Sequence, residues 1–219
     1  MIGWMDDPPR SFWATWHDGY DDPDSDLSQR LVAVQHRLAD AIDRSPLGVV
    51  RVISVCAGQG HDVLGVLAKH PRASDVHAWL VESDDHNVRV ARDRVEAAHL
   101  TDVHVLQADA GITHVYRDAV PADVLLLCGI FGNITDQDLR RTVANSSRLC
   151  SPHATVLWTR HRRSPDRTAE IREWFGAAGY EELAFDSPGP GRFALGTVRL
   201  NGPPQAYLSD LRLFTFWEE

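Results

Sequence analysis

From Val49 onward the chain keeps one rhythm, in which a short apolar run is followed by a stretch with helical spacing and then by another apolar run. Strand-like runs fall at 50–55, 77–82, 102–107, 122–128 and 155–159, with helix-like stretches near 61–69, 86–98, 135–149 and 166–178. Continuous apolar strands are buried on both faces, and amphipathic helices between them supply the cover. The pattern predicts a parallel sheet with helices on both sides. The rhythm then changes. Segments 179–185 and 192–200 read as strands separated only by Ser187-Pro-Gly-Pro-Gly191, a gap with no room for a helix, so the pair is expected to be antiparallel. The expected class is α/β, a doubly wound, mostly parallel seven-stranded sheet finished by a C-terminal antiparallel hairpin.

The first run ends in the most specific local feature. Val52-Ile-Ser-Val-Cys-Ala-Gly-Gln-Gly-His-Asp62 carries strand residues into a turn with Gly58 and Gly60, then into a helix-like segment. Such a strand, glycine turn and helix start present bare backbone to a nucleotide-like ligand. About twenty residues later, Ala78-Trp-Leu-Val81 ends in Glu82, the spacing at which an acid accepts protons from ribose hydroxyls. Together they predict a nucleoside cofactor.

At 219 residues the chain suits one domain with a sizeable core. Its expected division is a lid and helix over 1–48, the core over 49–200 and a tail over 201–219. Residues 1–24, rich in Trp, Asp and Pro, are expected to be irregular except for a short helix around Phe12 to Trp16. A helix is expected over 26–44, capped by Ser25 or Asp26, with Leu27, Leu31, Val34, Leu38, Ala41 and Ile42 on one face and Ser45-Pro-Leu-Gly48 ending it. The tail from Tyr207 to Trp217 is expected either to add an edge strand or to pack over the sheet. A net charge of −9 argues against gripping a phosphate backbone, so no nucleic-acid partner is expected. Cys56, Cys128 and Cys150 are odd in number and widely spaced, which suits buried reduced thiols better than disulfides or a zinc site. With no leader-like start and no run long enough to span a membrane, a cytoplasmic protein with no membrane partner is expected.

The glycine turn, Glu82 and Gln107-Ala-Asp109-Ala110, in that order, make residues 33–200 resemble the class I S-adenosylmethionine-dependent methyltransferases. The resemblance implies a Rossmann-like sheet binding S-adenosylmethionine, with S-adenosylhomocysteine as product. It places Ser54, Cys56, Ala57, Gly58, Gly60, Asp62, Glu82, Ser83, Asp109, Ala110, Cys128, Gly129 and Phe131 around the cofactor. Two residues depart from the pattern: Ser54 stands where an acid is frequent, and Cys56 where the first glycine of the turn belongs. Asp62 is the candidate replacement for the missing charge. A nicotinamide-dependent Rossmann oxidoreductase, the rival, wants a third glycine where Val63 stands and has no terminal hairpin.

Each candidate also has a plain structural reading. Glu82 suits the ribose, accepting both hydroxyl protons, or a helix cap, for which Asp84 and Asp85 compete. Asp109 suits the adenine amino group, with Ala110 beside it, or a turn. In Leu127-Cys-Gly-Ile-Phe-Gly-Asn133, Gly129 and Gly132 would admit the methyl-bearing end and the acceptor. There Phe131 would flank the cofactor and Asn133 would orient the acceptor; a tight turn with Thr135 capping the next helix explains Asn133 as well. Trp13, Trp16 and Tyr20 are expected to shape the acceptor site or to serve as core, and His17 is a candidate general base. The basic run Arg160, His161, Arg162 and Arg163 contributes Arg160 as a substrate ligand and His161 as a second candidate base, unless it is a solvated loop.

The expected function is methyl transfer from S-adenosylmethionine to a small-molecule acceptor, chiefly by alignment. No metal is expected, and a homodimer is compatible with the sequence. A nucleic-acid or protein methyltransferase and a non-methylating cofactor-binding scaffold remain open.

Overall fold

The computed structural model describes residues 19–20 and 22–217. Helix α1 (Asp26–Arg44) starts where Ser25 Oγ accepts from the Ser28 N–H, satisfying one of the orphan amides of the first turn. Its buried residues Val34, Leu38, Ala41 and Ile42 recur at helical spacing and turn toward the sheet.

Seven strands follow: β1 (Val50–Val55), β2 (Val76–Glu82), β3 (Val103–Gln107), β4 (Ala122–Leu127), β5 (Cys150–His161), β6 (Tyr180–Asp186) and β7 (Phe193–Leu200). Their order across the sheet is β3-β2-β1-β4-β5-β7-β6. The first five are parallel, and β7 lies antiparallel between β5 and β6. Between strands run α2 (His61–Leu67), α3 (Asp85–Ala97), α4 (Asp136–Asn145) and α5 (Thr168–Ala177). This is the Rossmann-like sheet with terminal hairpin that the apolar rhythm predicts.

Strand periodicity divides the core in two. Val52, Ala78, Leu80, Val124 and Leu126 face α1 and α2, whereas Ile53, Val55, Trp79, Val81, Leu125 and Leu127 face the opposite layer with Trp158 and Phe175. Strand β5 is longer than expected because a bulge carries it past Ser151-Pro-His153: Ala122 pairs with Cys150 but Val124 with Thr155, and His153 takes φ +65°. The stretch after α4 tightens into a 3-10 turn, Ser146–Leu149, whose Ser146 hydroxyl donates to the Val143 carbonyl.

Between β3 and β4 the chain makes only a 3-10 turn, Thr113–Tyr116, where a crossover helix would ordinarily cover the sheet. The C-terminal tail fills that place. Its Leu213 N–H donates to Gly111 O, its Leu213 carbonyl accepts from Arg141 and Thr142 on α4, and Leu213 and Phe214 are buried. Of the two placements expected for the tail, it adopts packing over the sheet; the edges are β3 and β6. Tyr116, fully buried beneath it, donates to Ala110 O at 2.8 Å. Tyr116→Phe leaves that carbonyl without its donor. The urea midpoint should fall by the equivalent of about 1–2 kcal/mol at unchanged slope.

Candidate active site

The sheet order reverses between β1 and β4, and the carboxyl ends of β1, β2 and β4 open there into a crevice. Strand β1 delivers Cys56 at φ +54°, Gly58 at +56° and Gly60 at +71°, so three residues of one turn are left-handed. Glycine adopts this region freely, whereas a side chain there costs about 1–2 kcal/mol. The departure at Cys56 is therefore a strained position in the place where glycine would be relaxed. At Gly60 space is limiting as well, because a Cβ would lie 2.8 Å from Leu64 and 2.9 Å from Leu80.

Glu82 closes β2 with its carboxylate turned toward the glycine turn. One oxygen accepts from Gly58 N–H at 2.8 Å, and the other from Ser83 and Asp84 N–H, each at 2.8 Å. The helix cap is supplied instead by Asp84, whose side chain accepts from Asn87 N–H. A carboxylate offers about four acceptor positions. Three are filled by backbone, so one hydroxyl proton can still be accepted in good geometry, a correction to the expectation of two. Burial pushes the Glu82 carboxyl above the usual range, opposed by those three amides.

Asp62 lies on the same crevice in the first turn of α2, and burial likewise raises its carboxyl. Across from it α1 contributes Arg30, Leu31 and Val34, and the Tyr20 ring packs tilted against His61 with centroids 4.4 Å apart. The tail closes the far side with Phe216, held by the bridge between Ile134 and Phe216. The crevice spans about 850 Å³ of empty space, the open solvent at its mouth included.

A second hollow adjoins the first through Arg30 and Gly129. Here lie Asn133, Arg160 and His161, which sequence spacing alone could not bring together. Asn133 Nδ2 donates to Gly129 O at 2.8 Å and Thr135 caps α4, so the structural reading of this loop is realised, with Asn133 also lining the hollow. His161 packs on Gly132, where a Cβ would meet its ring at 2.9 Å. Burial, then the charges of Arg160 and Arg163, lower the His161 pKa. The neutral ring accepts at Nδ1 from Arg163 N–H at 3.3 Å, which leaves its proton on Nε2. In that tautomer His161 is a hydrogen-bond donor, and it can act as a base only after the ring changes tautomer.

Among the expected cofactor residues, Cys56, Ala57, Gly58, Asp62, Glu82, Ser83, Cys128 and Gly129 line the crevice, and Gly60 shapes it from behind. Ser54 is buried within β1. Phe131 is a correction: it is fully buried against Trp158 and Phe175, turned away from the crevice because the opposite core layer takes its ring. Asp109 accepts from Gly111 N–H and pairs with Arg212 of the tail; it and buried Ala110 are not among the residues lining the crevice. Of the expected acceptor residues, Tyr20 lines the cofactor crevice and Arg160 the second hollow; Trp13, Trp16 and His17 lie outside the described residues. Arg30, His61, Asn87 and Phe216 were missed. Arg30 did leave a signal, as a charge adjoining Leu31 and Val34 on a helix face otherwise apolar.

Burial pushes the Cys56 thiol well above its ordinary value, and the Cys128 and Cys150 thiols up to about 12. All three should react slowly with a disulfide reagent at mildly alkaline pH and fully after unfolding. Bound S-adenosylmethionine should slow Cys56 and Cys128 further while sparing Cys150. Rapid native labelling of Cys128 would contradict this placement.

Among the described residues there is no cluster of His, Cys, Asp or Glu able to hold a metal ion, and no helix is long and apolar enough to cross a membrane. No protein-family model and no curated protein matches the sequence. Solved structures do match. Magnesium protoporphyrin IX methyltransferase from Synechocystis PCC 6803, with bound S-adenosylmethionine, superposes at TM-score 0.64 and 11% identity over 84% of this chain and 88% of that one. An O-methyltransferase family protein from Burkholderia thailandensis gives 0.58 and 16% over 82% and 59%. The 4+2 cyclase SpnF gives 0.54 and 18% over 74% and 80%. The chain has the fold of the class I S-adenosylmethionine-dependent methyltransferases.

Proposed function

We propose that this protein is an S-adenosylmethionine-dependent methyltransferase acting on a small molecule. The observation that carries the reading is the Glu82 carboxylate, fixed by three backbone amides at the reversal point of the sheet with one acceptor position left for a ribose hydroxyl. The bare backbone of Gly58 fits close approach of the nucleoside. Asp62 and Arg30 offer opposite charges to the ammonium and carboxylate of the methionine portion. The cofactor, when bound, supplies a methyl group already electrophilic on its sulfonium.

The protein's own contribution is then alignment. Gly129 lines both crevice and second hollow and puts no side chain of its own between them, with Arg30 at the same border. Asn133 and His161 can hold an acceptor by hydrogen bonds on the far side of that border. Calorimetric titration with S-adenosylmethionine, followed by a methyl-turnover screen on small acceptors, tests the proposal. No cofactor binding would refute it.

A second reading is favoured by the likeness to SpnF, a cyclase on the same fold. On that reading the chain binds the cofactor as a scaffold for other chemistry. Tight binding with no methyl consumed on any acceptor would favour it.

A further inference from the structure

We infer that the second hollow is an oxyanion site, and that the molecule it receives bears a carboxylate or phosphate beside the atom to be methylated. The acceptor role rests on the methyltransferase reading; the charge preference rests on the hollow itself. Arg160, at the carboxyl end of β5, is 7% exposed. One of its terminal nitrogens donates to Phe131 O, its Nε has no partner, and it forms no ion pair among the described residues. That Nε is sealed from the hollow, but a buried guanidinium without an ion pair is costly, and an oxyanion met by the terminal nitrogen not spent on Phe131 would offset part of that cost.

The surroundings add to the same charge. Arg163 lines the hollow and is likewise in no ion pair among the described residues. Asp26 is the carboxylate in the lining and is paired with Arg192; Asp136, Asp166 and Glu170 act on Arg160 from outside the lining, each already engaged by Arg162 or Arg167. In a chain of net charge −9 this leaves a hollow whose own lining is basic and which borders the cofactor crevice at Arg30 and Gly129. Guanidinium forks match planar carboxylate and tetrahedral phosphate alike.

The test uses pairs of small molecules differing in charge, benzoate against benzamide and phenyl phosphate against phenol. Each is titrated calorimetrically into the full chain, alone and with S-adenosylmethionine present. At least one acid should bind about tenfold or more tightly than its neutral partner, and the stronger of the two acids tells carboxylate from phosphate. Arg163→Gln, on the surface, and Arg160→Gln should each weaken that acid about tenfold while leaving S-adenosylmethionine affinity unchanged. Equal binding of acids and neutral partners, no binding of either acid, or acid affinity indifferent to Arg163→Gln overturns the inference. Acid selectivity that survives with no cofactor binding would support the oxyanion site while sinking the methyltransferase reading, so the two failures are distinguishable.

Discussion

Glu82→Gln will weaken S-adenosylmethionine binding about 100-fold by calorimetry, with the protein still folded. The glutamine carbonyl can keep the bonds from Ser83 and Asp84. Its amide, however, meets the Gly58 N–H with a donor instead of an acceptor, and the acceptor position for the ribose is lost. Loss of a hydrogen bond to a charged group costs about 1.5–3 kcal/mol, and the donor clash adds to it. The wild-type affinity should also fall as the solution is acidified, at higher pH than an ordinary carboxylate would dictate, because burial raises both Glu82 and Asp62.

The sign for stability is opposite. A carboxyl with a folded pKa above its unfolded value favours the native state at low pH, and that contribution is lost as pH rises through the folded pKa. Acidification through this window therefore ends binding while these two groups favour the fold. If affinity were flat down to the ordinary carboxylate range, burial would not be raising the carboxyls that hold the cofactor.

Gly60→Ala will cost about 3 kcal/mol of stability, read as a lower urea midpoint. Two penalties combine: a left-handed backbone, at about 1–2 kcal/mol for a residue with a Cβ, and overpacking against Leu64 and Leu80, at about 1–3 kcal/mol. Leu64 and Leu80 belong to the core under the turn, so neither has free space to retreat into. Ala at this position that left the midpoint unchanged would mean the turn can rearrange, and the geometry presented to the cofactor would not be fixed by Gly60.

The parts of the fold that were legible share one property: the information is local. Strand β1 and helix α1 lie where apolar periodicity and the Ser25 cap place them, and the short Pro-Gly gap sets β6 and β7 as antiparallel neighbours. The Glu82 position was legible too, because Asp84 was at hand to take the cap. What was not legible depends on distant partners. Phe131 sits between two glycines in a loop, and the direction of its ring is decided by Trp158 and Phe175. Asp109 takes Arg212 as its partner from the other end of the chain, a pairing no local window of sequence shows. The bulge at His153 exists because β5 must keep register with β4, which no window of β5 alone reveals.

The crevice draws Tyr20 and Phe216 from nearly opposite ends of the described chain onto a sheet formed by what lies between. A pocket assembled this way has a far higher contact order than its floor, so its rim should form last and open most often. A ligand that seals the rim would then act as a latch on both ends at once. Amide exchange at Leu213 and Trp217, which donate to Gly111 and Asn133, should slow on binding far more than exchange in β1 or β4.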